Sequence, residues 1–327
     1  MYKSKLSVLE TQAVIRSLRH KFEENLCDAL NLSRVSAPLF VKRGSGLNDD
    51  LNGVERPVSF DIAQTGETVE IVHSLAKWKR MALGRYGFKV HTGLYTDMNA
   101  IRRDETVDNI HSLYVDQWDW EKVITREDRN EEYLRETVRR IYAAVLTTAD
   151  YIERKYPELD NYLPRDIVFV STYELEEKYP DLTPKERENE AAKKYGAIFL
   201  SKIGGRLKNG EKHDGRAPDY DDWELNGDII VYNRVTGAAF EISSMGIRVD
   251  EKSLVAQLEA ENATERLSLP FHKALTEGKL PLTIGGGIGQ SRLCMLLLGK
   301  AHIGEVQASV WPEEEIERCR QNGIELL

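Results

Sequence analysis

The sequence predicts an α+β fold in which a mainly antiparallel sheet is flanked by helices. Three observations carry that prediction. Strand-like runs come in groups with helices between the groups. "GDIIVYNRVTGAAFEISS", residues 227–244, reads as a hairpin. Two long amphipathic runs, one near each end of the first half, read as the helices that cover the sheet. No composition shift marks a linker, so residues 1–327 read as one domain. The 327 residues are 41% hydrophobic and 30% charged, enough apolar material for a large core. The formal net charge of −9 argues against a general nucleic-acid binder, which needs a basic surplus to neutralise phosphates.

Ser7 followed by Glu10 forms a capping-box pattern. Ile15, Leu18, Phe22, Leu26 and Ala29 then keep helical spacing to about Asn31. "LSRVSAPLFVK" is extended, and Pro38 makes it an edge or interrupted strand. "GSGLNDDLNG" is a loop, and "VSFDI" and "TVEIV" are strands. A helix over "SLAKWKRMAL" has Ser74 as its cap and Gly84 as its terminator. Its periodicity turns Leu75, Trp78 and Ala82 inward and Lys77 and Arg80 outward, with Lys79 on the flank. "HSLYVDQWDWEKVI" alternates as a strand. "EEYLRETVRRIYAAVLTTADYIERKY" is a long helix. "RDIVFVS" and "AIFLSKI" are strands on either side of the helix "PKERENEAAKKYG", which carries Pro184 in its first turn. Helical stretches near 251–267 and 271–277 follow, and "EVQASVWP" reads as a late strand.

"TIGGGIGQSRLCMLLLG", residues 283–299, sets a glycine cluster against an apolar helix. Such a cluster either approaches a phosphate closely or packs a strand tightly on a helix. No lysine follows the glycines until Lys300, so the Walker pattern fails. Gly285, Gly287 and Gly289 sit near the C-terminus in the wrong spacing for a dinucleotide fingerprint. With Ser291 as the helix cap, Arg292 lies in the first turn, where a cation opposes the helix dipole unless an anion binds there.

The glycine run ending in Arg292 resembles motif 3 of the class II aminoacyl-tRNA synthetases, whose arginine lies on the ATP triphosphate. The helix before "RVSAPLFV" resembles motif 1, a dimer-interface element. "IRRDETVDNIHSLYVDQWDWE" resembles motif 2, whose arginine binds the α-phosphate. "FEISSMGIRVD" resembles the metal- and nucleotide-contacting segment of the aspartyl type. Taken with "VHSLAKWKR", "RAPDYDDW" and "LNGDI", these segments are similar to the ammonia-dependent asparagine synthetases, or aspartate–ammonia ligases, over essentially the whole chain.

The resemblance implies an ATP-dependent ligase that makes asparagine from aspartate and ammonia through β-aspartyl-AMP. ATP is the co-substrate and Mg²⁺ the metal. It implies a homodimer formed through the N-terminal helix and the following strand. No tRNA partner and no membrane association are expected, because an anticodon-binding domain, a signal peptide and an apolar span are all lacking; the protein reads as soluble and cytoplasmic. The implied catalytic residues are Lys79, Arg102, Asp119, Arg292 and Asp49. Gln117, Asp221, Ser243, Ser244 and Arg248 would bind substrate, with Arg248 gripping the α-carboxylate. Arg102, Glu105, His111, Gly287, Gly289 and Arg292 would bind nucleotide, and Asp228 and Glu241 the metal. Arg103-Asp104-Glu105 also fits the motif 2 spacing, so Arg103 rivals Arg102.

The residues themselves leave plainer readings open. Lys79 either snorkels or reaches a polar site. Gln117 and Asp119 share one strand face with Leu113 and Val115, and either line a pocket or mark a strand end emerging into solvent. Glu241 shares a face with Ser243, opposite Phe240, Ile242 and Ser244, and two acids in a hairpin are commonly solvated. Cys27, Cys294 and Cys319 form no CxxC pair and carry no Cys-His signature, and residue 2 is Tyr, so nothing points to a glutamine-cleaving nucleophile. The rival functions are a synthetase paralogue that passes an activated amino acid to RNA or protein, a ligand-binding regulator on the same fold and, more remotely, a glycine-loop dehydrogenase.

Overall fold

The computed structural model describes residues 2–49 and 55–327. The chain forms strands β1 (Leu32–Arg34), β2 (Phe40–Lys42), β3 (Ser59–Asp61), β4 (Thr68–Ile71), β5 (Gly93–Ile101), β6 (Tyr114–Val123), β7 (Val168–Ser171), β8 (Ala197–Ser201), β9 (Asp221–Asn233), β10 (Ala238–Arg248) and β11 (Thr283–Gly289). The helices are α1 (Val8–Leu30), α2 (Ala76–Tyr86), α3 (Glu131–Lys155), α4 (Thr172–Lys178), α5 (Pro184–Tyr195), α6 (Glu251–Ala260), α7 (Pro270–Thr276), α8 (Gln290–Leu297) and α9 (Glu313–Gln321), with short 3₁₀ turns at Thr264–Ser268 and Ile303–Glu305. An eight-stranded sheet runs β1-β5-β6-β11-β10-β9-β8-β7. Only its outer pairs, β1/β5 and β7/β8, are parallel. A small sheet, β2-β4-β3, lies apart. This is the α+β, mainly antiparallel architecture the sequence predicts.

The helices follow their local signals. α1 opens on the Ser7–Glu10 box, each partner bonding the other's backbone N–H, and closes on Asn31 in the left-handed region at φ 60°. Its stripe of Val14, Leu18, Phe22 and Leu26 is buried against α3, α8 and the sheet. Pro38 separates β1 from β2, and the two strands enter different sheets.

Several expectations fail for identifiable reasons. α2 begins without a side-chain cap and runs through Gly84 to Gly87. β5 breaks the strand pattern with Thr96, Asp97 and Asn99, because both of its faces are partly covered, and the sequence reading does not contain it. α4 and α9 are likewise absent from that reading. "EVQASVWP" is no strand; its first residue closes a 3₁₀ turn and the rest is irregular. Part of the expected loop at Gly44–Gly53 lies outside the described residues.

The sheet separates core from site. On β6, Trp118 and Trp120 are fully buried toward α1 and α3, and Trp118 Nε1 donates to Glu23 at 3.0 Å. Gln117, Asp119 and Glu121 take the opposite face. β11 pairs beside them in the register Gly289–Gln117, Gly287–Asp119, Gly285–Glu121. The glycine cluster is therefore a strand, and its bare positions accommodate a row of polar side chains. A Cβ on Gly285 would lie 1.9 Å from Glu121 Oε2, and one on Gly287 would lie 2.3 Å from Gln117 Oε1.

Gly285→Ala is therefore expected to cost about 1–3 kcal/mol or more, as overpacking does. Gly205→Ala, where the new methyl meets only Tyr173 Oη at 3.4 Å, should stay within about 0.5 kcal/mol. Urea unfolding of both variants decides the point; equal stability losses would contradict it.

Candidate active site

A cavity of about 460 Å³ opens on the polar face of β6, β10 and β11, within the range of small-molecule sites. Its floor is a chain of buried charges. Lys79 is 1% exposed. Its ammonium donates to the carbonyls of Trp120 and Gly286, each at 3.0 Å, and lies 3.4 Å from Asp119 Oδ1. The snorkelling alternative is thus excluded. Lys79 spends its protons on the protein and offers a ligand mainly its charge. Arg248 donates through Nε and Nη2 to both oxygens of Glu121 and through Nη1 to Asp221. The fork expected for a substrate carboxylate is engaged by Glu121 here.

Burial pulls the Lys79 ammonium below the usual lysine range, against the pull of Asp119 and Glu121. Burial pushes the Asp119 carboxyl up. Glu121 is equally buried, yet Arg248 and Lys79 outweigh burial and hold it below the carboxylate range. Asp119 Oδ2 is buried with no hydrogen-bond partner among the described residues. The row does not emerge into solvent at Asp119; it is covered and charged.

The second half of the cavity is cationic around two acids. Arg216 donates to Asp228 Oδ1 at 2.6 Å and to the Ser244 hydroxyl. Arg292 donates to the Glu241 carbonyl at 3.1 Å, with its head 3.7 Å from the Glu241 carboxylate. Arg102 is half-buried, 3.7 Å from Glu105; against burial, Arg292 and Arg216 foremost, with Lys185 and Arg102 adding, hold Glu241 below the carboxylate range. Arg103 is exposed on the rim, which favours Arg102 of the two. Burial, with Glu241 adding to it and Arg216 opposing, pushes Asp228 up to about 7.

Most expected residues converge here: Lys79, Arg102, Glu105, His111, Gln117, Asp119, Asp221, Asp228, Glu241, Ser244, Arg248, Gly287, Gly289 and Arg292 all line the cavity. Ser243 does not. A bulge between Glu241 and Ser243 breaks the alternation, so Ser244 takes the cavity face beside Glu241 and Ser243 is buried away from it. Asp49 is buried just behind, bonded through its carbonyl to His73 Nδ1 at 2.9 Å; burial, with the Asp49 charge adding to it, pushes the Tyr220 phenol above its usual range. His111 sits on the rim, paired with Asp108 at 2.9 Å. Ser291 is not the cap of α8; Gly289 holds that position and Ser291 lies inside the first turn.

Lys77 and Arg80, expected outward, are buried. Lys77 and His272 Nε2 both lie 2.9 Å from Asp219 Oδ2, and Arg80 donates to the carbonyls of Pro281 and Val249. Helical spacing takes cations as solvent-facing because it cannot see partners from distant segments. Glu121 and Asp116 were missed for the same reason, although Glu121 follows Gln117 and Asp119 at strict two-residue spacing.

Elsewhere, His302, Glu315 and Cys319 cluster. His302 Nδ1 accepts the Gly304 N–H at 2.9 Å, so its Nε2 carries the proton shared with Glu315 at 2.8 Å. A metal on Nε2 would force a proton onto Nδ1, against Gly304. That cluster is a structural hydrogen-bond chain. Cys294 and Cys319 are buried and no cysteine lines the cavity.

A family profile described as aspartate-ammonia ligase matches residues 9–323. The chain belongs to the aspartate–ammonia ligase family. It is 62% identical over 327 residues to an aspartate–ammonia ligase of Clostridium perfringens, covering all of this chain and 97% of that one. It is 62% identical to the ligase of Fusobacterium nucleatum over 326 residues, covering 100% of this chain and 99% of that one. The chain is accordingly an enzyme, a ligase of asparagine biosynthesis. Its fold is that of class II synthetase catalytic domains. The asparaginyl-tRNA synthetase of Pyrococcus horikoshii complexed with asparaginyl-adenylate aligns at TM-score 0.66 and 12% identity, over 93% of this chain and 70% of that one. The Entamoeba histolytica enzyme with the same adenylate aligns at 0.62 and 15%, over 91% and 66%.

The Asp228 carboxyl generates a pH prediction. In the unfolded chain it ionises near pH 4, and in the folded ligand-free protein at about 7. Between those values the folded state keeps a proton that the unfolded state has released, so this group makes stability fall as pH rises. Asp228→Asn removes that slope. Its thermal midpoint without ligands should exceed the parent's at pH 8 and not at pH 5; parallel pH profiles would contradict this.

Proposed function

We propose that this ligase works in two steps, both inside the cavity. The aspartate β-carboxylate attacks the α-phosphorus of ATP, the bond to the β-phosphate oxygen breaks, and β-aspartyl-AMP and pyrophosphate form. Ammonia then attacks the acyl carbon, the acyl–phosphate bond breaks, and asparagine and AMP leave. The observation that supports this is the division of the cavity. One end is a floor of paired charges suited to a zwitterionic amino acid, and the other is a ring of arginines suited to phosphates.

At the floor, Lys79 supplies positive charge to the aspartate carboxylate in a site where water no longer screens it. A substrate α-carboxylate would reach Arg248 by its outer edge or by displacing Asp221. Asp119, with one buried oxygen not yet hydrogen-bonded, offers a carboxylate to the α-ammonium or to incoming ammonium, and Asp49, bonded to the cavity-lining His73, would add negative charge nearby. Gln117 and Ser244 would orient the substrate; Ser243 leaves this set. At the other end, Arg102 and Arg292 would neutralise charge developing on the α-phosphate and the leaving pyrophosphate, with Glu105 and His111 at the nucleotide rim.

Asp228 and Glu241 fit a Mg²⁺ site. Both are hard oxygen donors lining the cavity, and burial, with the Glu241 charge adding to it, raises the proton affinity of Asp228, a cost that a bound cation would relieve. Bound there, Mg²⁺ would neutralise phosphate charge. A homodimer through α1 and β1 is supported by β1 standing at the edge of the large sheet. We place the enzyme in the cytoplasm, as a metabolic ligase; no helix among the described residues is long and apolar enough to cross a membrane.

The deciding experiment combines the protein with aspartate, ATP and Mg²⁺, and either ammonium or glutamine, and quantifies asparagine, AMP and pyrophosphate. Stoichiometric asparagine and AMP, with ammonium much the better donor, is expected. Aspartate-dependent pyrophosphate exchange without asparagine would overturn the second step. Lys79→Ala and Arg292→Ala should each lower kcat/KM about 10²–10³-fold. Glu241→Ala should raise the Mg²⁺ concentration for half-maximal rate at least about tenfold, and an unchanged Mg²⁺ curve would remove Glu241 from the metal site.

A further inference from the structure

We propose that Asp116 is a positioning residue for Arg292: it caps helix α8 from the neighbouring strand and so fixes the side chain that meets the nucleotide. This rests on Arg292 acting on ATP, as proposed above.

The argument begins with a helix that cannot cap itself. The N-cap position of α8 is Gly289, and no side chain there accepts from the first turn. It must stay bare. A Cβ on Gly289 would lie 3.0 Å from Arg292 Cβ and 3.4 Å from its Cγ and Cδ, so the arginine folds back over the place a capping serine or aspartate would fill. The first-turn N–H groups therefore need an acceptor from elsewhere.

Asp116 supplies it. Its carboxylate is 6% exposed and lies on the helix-facing side of β6. Oδ1 accepts the Ser291 backbone N–H at 3.0 Å, and Oδ2 accepts the Ser291 hydroxyl at 2.8 Å. Arg19 of α1 donates to Oδ2 at 2.8 Å, and Gln307 Nε2 donates to Oδ1 at 3.3 Å and to Ser291 Oγ at 3.1 Å. One carboxylate thus ties α1, β6, α8 and the segment after the Ile303–Glu305 turn. Its negative charge at a helix N-terminus also offsets the unfavourable placement of a cation, Arg292, in that first turn. The guanidinium end is anchored separately on the Glu241 carbonyl. Arg292 is held at both ends, and Asp116 controls the backbone end. Asp116, Ser291 and Gln307 line the cavity wall, but among the described residues none of Arg19, Ser291 and Gln307 hydrogen-bonds to Lys79, Asp119, Glu121, Arg248 or Asp221, so the effect is expected on the nucleotide side.

The test is a KM split. Asp116→Ala should raise the KM for ATP roughly 3–30-fold, the equivalent of a lost helix cap, and leave the KM for aspartate within about twofold. Asp116→Asn keeps an acceptor for the Ser291 N–H and should restore most of the ATP affinity; general loosening of the fold would not be rescued in this pattern. In an Arg292→Ala background, Asp116→Ala should add no further rise in the ATP KM. An unchanged ATP KM in folded Asp116→Ala, or a parallel rise in both KM values, overturns the proposal while leaving the Arg292 assignment intact. An unchanged ATP KM in Arg292→Ala overturns that assignment first, and this proposal with it. If Asp116→Ala does not fold, Ser291→Ala and Gln307→Ala each remove one arm. Each should then raise the ATP KM in the same direction by a smaller factor, and no rise in either counts against the proposal.

Discussion

The structure depends on placing five charged side chains in buried positions on and against one sheet. Lys79, Asp119, Glu121, Arg248 and Asp221 are each 3% exposed or less. Moving such groups out of water is expensive, and the cost is recovered only where each charge meets a partner at close range. Here Lys79 of α2 faces Asp119 and Glu121 of β6, and Arg248 of β10 bridges Glu121 to Asp221 of β9. β11 lies between β6 and β10, and its glycines leave the volume the carboxylates occupy. A single methyl on Gly285 would collide with Glu121 and press on Arg248 together. The glycine run thus answers to charge packing, and its Gly287 and Gly289 also line the cavity.

That constraint organises the chemistry. A site already holding paired charges in a low-dielectric floor can exchange one partner for a ligand group without creating an unpaired ion. The arginine end works differently. Arg102, Arg216 and Arg292 crowd around Asp228 and Glu241, and these acids keep the cations from repelling one another while no phosphate is present. The two ends meet at β10, where the bulge near Ile242 turns Ser244 rather than Ser243 toward the cavity. One inserted residue therefore decides which serine belongs to the site.

The structure shares its fold with asparaginyl-tRNA synthetases at 12–15% identity, and a likeness at that level is one of shape. The 62% identity to aspartate–ammonia ligases carries the chemistry as well.

Local sequence determined what local physics controls. The Ser7–Glu10 box started α1, the apolar stripe of α3 and Pro184 of α5 set those helices, Pro38 split a strand, and the turn between β9 and β10 made a hairpin. Strand alternation on β6 put Gln117 and Asp119 opposite the two tryptophans, and motif likeness brought most of the site residues together. Tertiary structure alone decided the rest. Helical spacing could not show that Lys77 and Arg80 are buried, because their partners come from residues 219, 249 and 281. Alternation could not locate the bulge that exchanges Ser243 for Ser244, because a bulge is set by the neighbouring strand. The cap of α8 could not be read at Ser291, because the acceptor lies 175 residues earlier in the chain. In each case the deciding partner is distant in sequence, and a burial cost that only pairing can offset is invisible until the fold brings that partner near.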